Sequence, residues 1–264
     1  MLRLYHGATS VCSQKVRITL AEIGLGYDGV LLDLQKGEQF APDYMALNPE
    51  AVVPTLVDDG LVLVESSLIA EYLDKTYNDS RLMPSAGAME VRTRLWLLRS
   101  LAAHAAINAL SFSTFMRDRV LATMSPDEIA ASVGRIIDPV NREKRRDLYA
   151  NGLRSVHVAQ ALRHLRQIFG DMTGQLSGGP WLAGPDYSLA DIALAPYVDR
   201  IDRLGFDGLW AEEFPKIGGW LAALRARPSY AAAVESFIPD QMAKAQRAGG
   251  AGHWPELGAI WRAM

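Results

Sequence analysis
A single cysteine, Cys12, stands in 264 residues, which excludes an internal disulfide and fits a reducing compartment. The five histidines, His6, His104, His157, His164 and His253, share no ligand spacing with Cys12, so no metal centre is expected. His157 and His164 lie one heptad apart on a helical pattern, a separation that does not chelate. No glycine-rich phosphate loop occurs. A formal net charge of −3 and a pI near 6.0 leave no strong field to recruit nucleic acid or an anionic membrane. No stretch is expected to supply the roughly 20 apolar residues that span a bilayer. Met1-Leu2-Arg3-Leu4-Tyr5 runs straight into a strand-like pattern with no long apolar region behind it, so a signal peptide is not expected and a cytoplasmic location is. What the chain has is apolar content: 49% of its residues are hydrophobic, ample for two cores at this length.

Residues 52–67 read Val-Val-Pro-Thr-Leu-Val-Asp-Asp-Gly-Leu-Val-Leu-Val-Glu-Ser-Ser. An extended run meets Pro54, which removes a ladder donor and suits an edge or a bend. Asp59-Gly60 between apolar runs is a hairpin signal. Glu65-Ser66 falls where a helix should begin, and helix starts favour anions through their unpaired N–H groups and dipole. An exposed edge beside an anion site would hold a peptide that carries a carboxylate. The same residues also describe an ordinary hairpin followed by a capped helix.

The pattern along residues 1–83 alternates in type. Strands are expected at Leu2–Tyr5 and Tyr27–Leu34, a helix at Gln14–Ile23 closed by Gly24-Leu25-Gly26, and a short helical turn at Pro42–Leu47. The hairpin Thr55–Val57 and Leu61–Val64 follows, and then a helix from Ser66 to Tyr77. The order β-α-β-α-β-β-α gives a parallel pair extended by an antiparallel hairpin. After a linker near residues 80–88, the chain from Met89 onward carries helical periodicity broken by Gly and Pro. An α/β domain over residues 1–80 and an all-helical domain over 89–264 are therefore expected. Gly249-Gly250-Ala251-Gly252 reads as a flexible joint.

Several separated motifs resemble the cytosolic glutathione transferases. They are Ser10-Val11-Cys12-Ser13-Gln14-Lys15-Val16-Arg17, Lys36-Gly37-Glu38-Gln39-Phe40, Asn48-Pro49-Glu50-Ala51-Val52-Val53-Pro54 and Glu65-Ser66 in the first domain. Gly184-Pro185-Asp186-Tyr187-Ser188-Leu189-Ala190-Asp191 in the second resembles the family's buried capping box, in which Ser188 and Asp191 satisfy each other's N–H groups. The resemblance implies a thioredoxin-like first domain. Within the family, the stretch around residues 120–155 resembles the extension of bacterial β-aryl etherases and their fungal lignin-associated relatives. It includes Met124-Ser125-Pro126-Asp127-Glu128, Asp138-Pro139-Val140 and Arg142–Asn151.

What the resemblance implies can be set beside what each residue would do without it. Ser10 takes the place of the family's thiol-activating hydroxyl; a serine there also caps the first helix. Cys12 would mark redox chemistry if it stood at position 10, whereas two residues later it is a small filler or a group beside the site. Gln39 falls in the loop that meets the glycine end of glutathione, or is a solvated turn. Val53 before a cis Pro54 would present its N–H and C=O to the cysteinyl backbone of glutathione. Ser66 would receive the γ-glutamyl carboxylate and Glu65 the ammonium. For the electrophile pocket, Trp96, His104, Asn108, Phe112 and Phe115 recur at helical spacing, together with Cys12; core packing is the alternative for each. The basic run Arg142-Glu143-Lys144-Arg145-Arg146 is either a solvated helix face or a guide for an anionic substrate.

The resemblance therefore implies a serine-type glutathione transferase with glutathione as co-substrate, a small hydrophobic electrophile as partner, and a homodimeric state. Thiolate attack would cleave a β-aryl ether if the etherase likeness extends to substrate. Two alternatives stand beside it. A maleylacetoacetate-type isomerase shares the Cys-Ser-x-Lys/Arg-Val-Arg pattern but lacks the 120–155 extension. A non-catalytic binding or regulatory protein could share the fold.

Overall fold
The computed structural model describes residues 1–85 and 87–264. In the first domain β1 (Leu2–His6), α1 (Val11–Glu22), β2 (Asp28–Leu31), α2 (Pro42–Leu47), β3 (Thr55–Asp58), β4 (Leu61–Leu63) and α3 (Ser66–Tyr77) follow in the expected order. The sheet order is β2-β1-β3-β4, with β1 and β2 parallel and the other pairs antiparallel. Asp59 (φ 44°) and Gly60 (φ 90°) both adopt the left-handed conformation that a tight hairpin turn needs. Leu4, Val16, Leu20, Leu56, Ile69 and Leu73 fill the space between sheet and helices.

Two boundaries differ from the sequence expectation by more than one residue. α1 begins at Val11 rather than Gln14, because Ser10 caps it: the Ser13 N–H donates to Ser10 Oγ at 3.2 Å. β2 ends at Leu31 rather than Leu34. The Leu32 N–H still reaches the last residue of β1 (His6 O, 2.8 Å), but the Asp33 carboxylate then accepts from the N–H groups of Gln35 and Lys36 and turns the chain away.

Among its described residues the second domain contains helices and no strand. It comprises α4 (Gly87–Ser113), α5 (Phe115–Thr123), α6 (Pro126–Gly134), α7 (Pro139–Asn151), α8 (Val156–Gln175) and α9 (Leu189–Arg203). They are followed by α10 (Lys216–Arg225), α11 (Pro228–Ala233), α12 (Asp240–Ala251) and α13 (Trp254–Arg262). The expectation of no membrane-length stretch is corrected by α4, which is long and apolar enough to cross a bilayer by those two criteria. Half of that stretch is buried inside the fold, where α4 packs against α8 and α9, so its apolarity has a core to serve. Ser125 with Glu128, and Ser188 with Asp191, form complete capping boxes at the starts of α6 and α9.

The expected flexible joint at residues 249–252 is also corrected. Gly249 and Gly250 lie inside α12 at a close helix crossing. A Cβ on Gly250 would fall 2.1 Å from the Leu204 carbonyl oxygen, and one on Gly249 would fall 2.6 Å from Phe115 Cδ2. These glycines allow backbones to approach; they do not loosen the chain.

The domains meet across α1, which packs on α3 on one side and on α9 and α11 on the other. It is consequently buried almost all round, Lys15 and Arg17 included.

Candidate functional site
The loop between β1 and α1 is held by a buried arginine and a half-buried one. Arg17 donates to Gly7 O (3.0 Å), Ala8 O (2.9 Å) and Ala233 O (2.7 Å), and stacks on Phe237. Arg200 on α9 donates to Thr9 O at 2.5 Å. With carbonyls 7, 8 and 9 fixed from both domains, Ser10 has a defined place at the domain boundary. Its Oγ accepts the Ser13 N–H, which leaves the hydroxyl proton free to be donated outward.

The second edge of the cleft is the loop before β3. The Val53–Pro54 bond is cis. Tyr44 and Asn48 both donate to Val52 O, Asn48 Nδ2 at 2.9 Å, and both also bond to Thr55 Oγ1. Val53 itself is half-buried, and among the described residues neither its N–H nor its C=O takes part in a hydrogen bond. A backbone donor and acceptor are thus presented side by side.

The chain then returns through β4 to Glu65, whose φ of 70° is unusual for a residue with a side chain. The first intrahelical bond of α3 runs from the Ile69 N–H to Glu65 O (2.9 Å). The N–H groups of Ser66, Ser67 and Leu68 lie ahead of it, an anion-binding arrangement. Gln39 sits on a short 3₁₀ turn (Glu38–Phe40), and its Oε1 is buried without a partner among the described residues.

On the helical-domain side of α1, Cys12 Sγ lies 3.4 Å from His104 Nδ1 and 3.7 Å from the Tyr197 hydroxyl. Lys15 is held by Ser67 Oγ and Ser100 Oγ, both at 2.9 Å, and faces the Tyr197 ring at 5.3 Å. Burial pushes the Cys12 thiol up. The hydrogen bond and charge of His104, then the Lys15 ammonium and the Tyr197 hydroxyl, outweigh it and bring the thiol down to about 7. Burial likewise lowers Lys15 to about 8. Because Cys12 is the one thiol in the chain, its alkylation by iodoacetamide is unambiguous. The rate should rise with pH through a midpoint near 7, and His104→Ala should move that midpoint upward. A midpoint that stays in place in the variant would remove His104 from the account.

The pocket residues expected from sequence divide into two groups. His104, Asn108 and Phe112 share one face of α4 and are all half-buried. His104 meets Cys12 and Tyr197, and Phe112 meets Tyr149 and Arg145. Trp96 and Phe115 are corrections. Trp96 is buried in the helical core with its indole N–H on Leu182 O (3.1 Å), and Phe115 packs against Gly249 of α12. Sequence reasoning missed Tyr197, Lys15 and the arginines of α1 and α9. The signal available for Lys15 and Arg17 was a pair of cations flanking Val16, a pattern that requires polar partners if the helix is buried all round.

Residues 9–76 match the protein-family model described as glutathione S-transferase, N-terminal domain, and residues 155–223 match the one described as glutathione S-transferase, C-terminal domain. Glutathione S-transferase TCHQD of Arabidopsis thaliana is 27% identical over 244 residues, covering 87% of this chain and 88% of that protein. The transcriptional regulator URE2 of Saccharomyces cerevisiae is 27% identical over 227 residues, 81% of this chain but 62% of that protein. Among solved structures, the β-etherase LigF from Sphingobium sp. strain SYK-6 aligns with a TM-score of 0.79 at 26% identity, over 89% of this chain and 99% of that one.

Proposed function
Because the chain belongs to the glutathione S-transferase family, we propose that it is a serine-type transferase in which Ser10 stabilises the thiolate of glutathione for attack on an electrophilic carbon. The observation that carries this reading is the Ser10 hydroxyl, anchored as an acceptor by the Ser13 N–H and left with its own proton to donate at the start of α1. A thiol begins near pKa 8.5, and each unit of depression requires about 1.4 kcal/mol. One hydrogen bond to a charged sulfur, about 1.5–3 kcal/mol, together with the helix N-terminus supplies one to two units.

In this reading Val53 pairs its backbone N–H and C=O with the cysteinyl residue of glutathione. Ser66 and the first turn of α3 take the γ-glutamyl carboxylate, Glu65 faces the ammonium, and Gln39 meets the glycine end. The unpaired Val53 groups and the buried, unpartnered Gln39 Oε1 support this fit. The electrophile is small and apolar or aromatic, and enters between α1 and the His104–Phe112 face of α4. The likeness to LigF favours a carbon bearing an aryloxy group. A C–S bond then forms as the C–O bond breaks, and the phenolate leaves to take a proton from solvent. Positioning and exclusion of water supply the rest of the acceleration.

The deciding experiment is a glutathione consumption screen across β-aryl ethers, alkyl halides and maleyl compounds, with the thioether identified by mass. Aryl ether cleavage with thioether formation supports the reading. Cis–trans conversion of maleyl compounds with no net glutathione loss would transfer the chain to the isomerase reading. Saturable glutathione binding without any turnover would favour a regulatory role, the reading to which the likeness to URE2 points.

An uncovered apolar stripe supports a homodimer in this reading. Val91, Leu95, Leu98 and Leu101 recur along one face of α4, continued by Leu68 of α3 and Val64, and all are exposed. Arg94 flanks the stripe, paired with Glu71 (3.0 Å) and Glu90 (2.6 Å). Leu98→Glu should convert a dimer to a monomer by light scattering; an unchanged mass would place the interface elsewhere. A reducing cytoplasm, where Cys12 stays a free thiol, is the proposed location.

A further inference from the structure
We propose that the electrophile carries a carboxylate, which Arg145 of the 120–155 extension receives at the Phe112 end of the α4 face that begins at His104. The proposal rests on the transferase reading and names the substrate class of that same site. On that face of α4 the half-buried His104, Asn108 and Phe112, at steps of four residues, span about 12 Å at a helical rise of ~1.5 Å per residue. Cys12 and Tyr197 close its near end on His104. At its far end the Arg145 guanidinium lies over the Phe112 ring, 3.1 Å from the centroid, and 5.7 Å from that of Tyr149.

Arg145 is half-buried, yet no carboxylate pairs with it among the described residues; its polar neighbour is the Tyr149 phenol. Lys144 repeats the pattern from the same helix. Its Nζ donates to the Ala105 carbonyl (3.1 Å), no carboxylate faces it among the described residues, and its charge is felt at His104. Arg146, the next residue along, is exposed and paired with Glu143, as a solvated surface cation ordinarily is. A planar guanidinium with its donors free, fixed by stacking on an aromatic ring, is arranged for bidentate capture of a carboxylate. The Phe112 and Tyr149 rings beside it suit an aromatic body between carboxylate and electrophilic carbon. The electrophile so assigned is an aryl acid, its reactive carbon toward Ser10 at the start of α1 and its acid group on Arg145.

The test compares 4-(chloromethyl)benzoate with its methyl ester, and 4′-(chloromethyl)biphenyl-4-carboxylate with its ester, as glutathione acceptors. In each the S–C bond forms, the C–Cl bond breaks, chloride leaves and the carboxylate is untouched. The wild-type chain should prefer acid over ester in kcat/KM. Arg145→Met, which keeps a stem over Phe112, should reduce the acid-to-ester ratio about 10- to 100-fold. Arg145→Lys should fall between, and Arg146→Met should leave the ratio in place. A wild-type ratio near one, or an unchanged ratio in Arg145→Met with the fold intact by circular dichroism, overturns the proposal and leaves the transferase reading standing. Thioether from no probe at all overturns the transferase reading, and this proposal with it.

Discussion
Replacing Ser10 with alanine is expected to lower kcat/KM for glutathione conjugation about 10- to 100-fold, the loss of one hydrogen bond to a charged sulfur. The pKa of bound glutathione should rise in step, so that the variant recovers part of its rate as the pH is raised. Two effects need separating, because Ser10 also caps α1. Losing an N-cap costs about 1 kcal/mol of stability, an amount that shifts a melting temperature by a few degrees without moving the thiol. Ser10→Gly restores most of the cap's backbone preference without the hydroxyl. It should therefore be as inactive as Ser10→Ala while folding better. Wild-type rate and an unshifted pH profile in both variants would take Ser10 out of the chemistry.

The second large effect is on folding. Asp191→Ala is expected to destabilise the chain by about 3–5 kcal/mol, the range for an interior group whose removal leaves several donors unpaired. The Asp191 carboxylate accepts from the N–H groups of Leu182 (3.0 Å) and Ser188 (3.1 Å), from Ser188 Oγ (3.2 Å) and from Trp220 Nε1 (2.8 Å). Burial pushes this carboxyl up to about 6 against the pull of those four donors, which leaves it ionised at neutral pH. The alanine variant removes the common acceptor of the loop at Leu182, the start of α9 and the indole of α10. Urea unfolding should register the loss as a lower midpoint. A midpoint within experimental error of wild type would show that those contacts contribute little.

What the sequence made legible was local. Ser188 with Asp191 is a short-range cap, found at the start of the helix it was expected to begin, and Ser10 caps α1 three residues ahead of the expected start. Asp59-Gly60 and Gly24 likewise act through their own backbone angles. The long-range partners were hidden. Lys15 meets Ser67 and Ser100, and Arg17 meets Ala233 O, groups 52, 85 and 216 residues away. No periodicity within α1 encodes them. Trp96 and His104 sit on the same helix, but one is buried in the helical core with its indole N–H on Leu182 O and the other is half-buried against Cys12 and Tyr197. The Gly249-Gly250 pair was misread because the glycine that loosens a chain is the same residue that lets two helices touch; Leu204 and Phe115, which decide between the two, are distant in sequence.

The site followed the same division. The bend at Pro54 and the helix start at Glu65-Ser66, the stretches proposed to cradle glutathione, could be read from turn and helix-start chemistry. Tyr197 could not, since it acquires its meaning from Cys12 on α1, and the basic run 142–146 left open which of its cations would meet α4.

The most direct test of the central claim is a pH titration of the thiolate absorbance of glutathione bound to the Cys12→Ala chain, which carries no thiol of its own. The account predicts saturable binding and a midpoint one to two units below the ~8.5 of a free thiol, with the depression lost when Ser10 is also alanine. A bound thiol that titrates at its ordinary value, with or without Ser10, would contradict it.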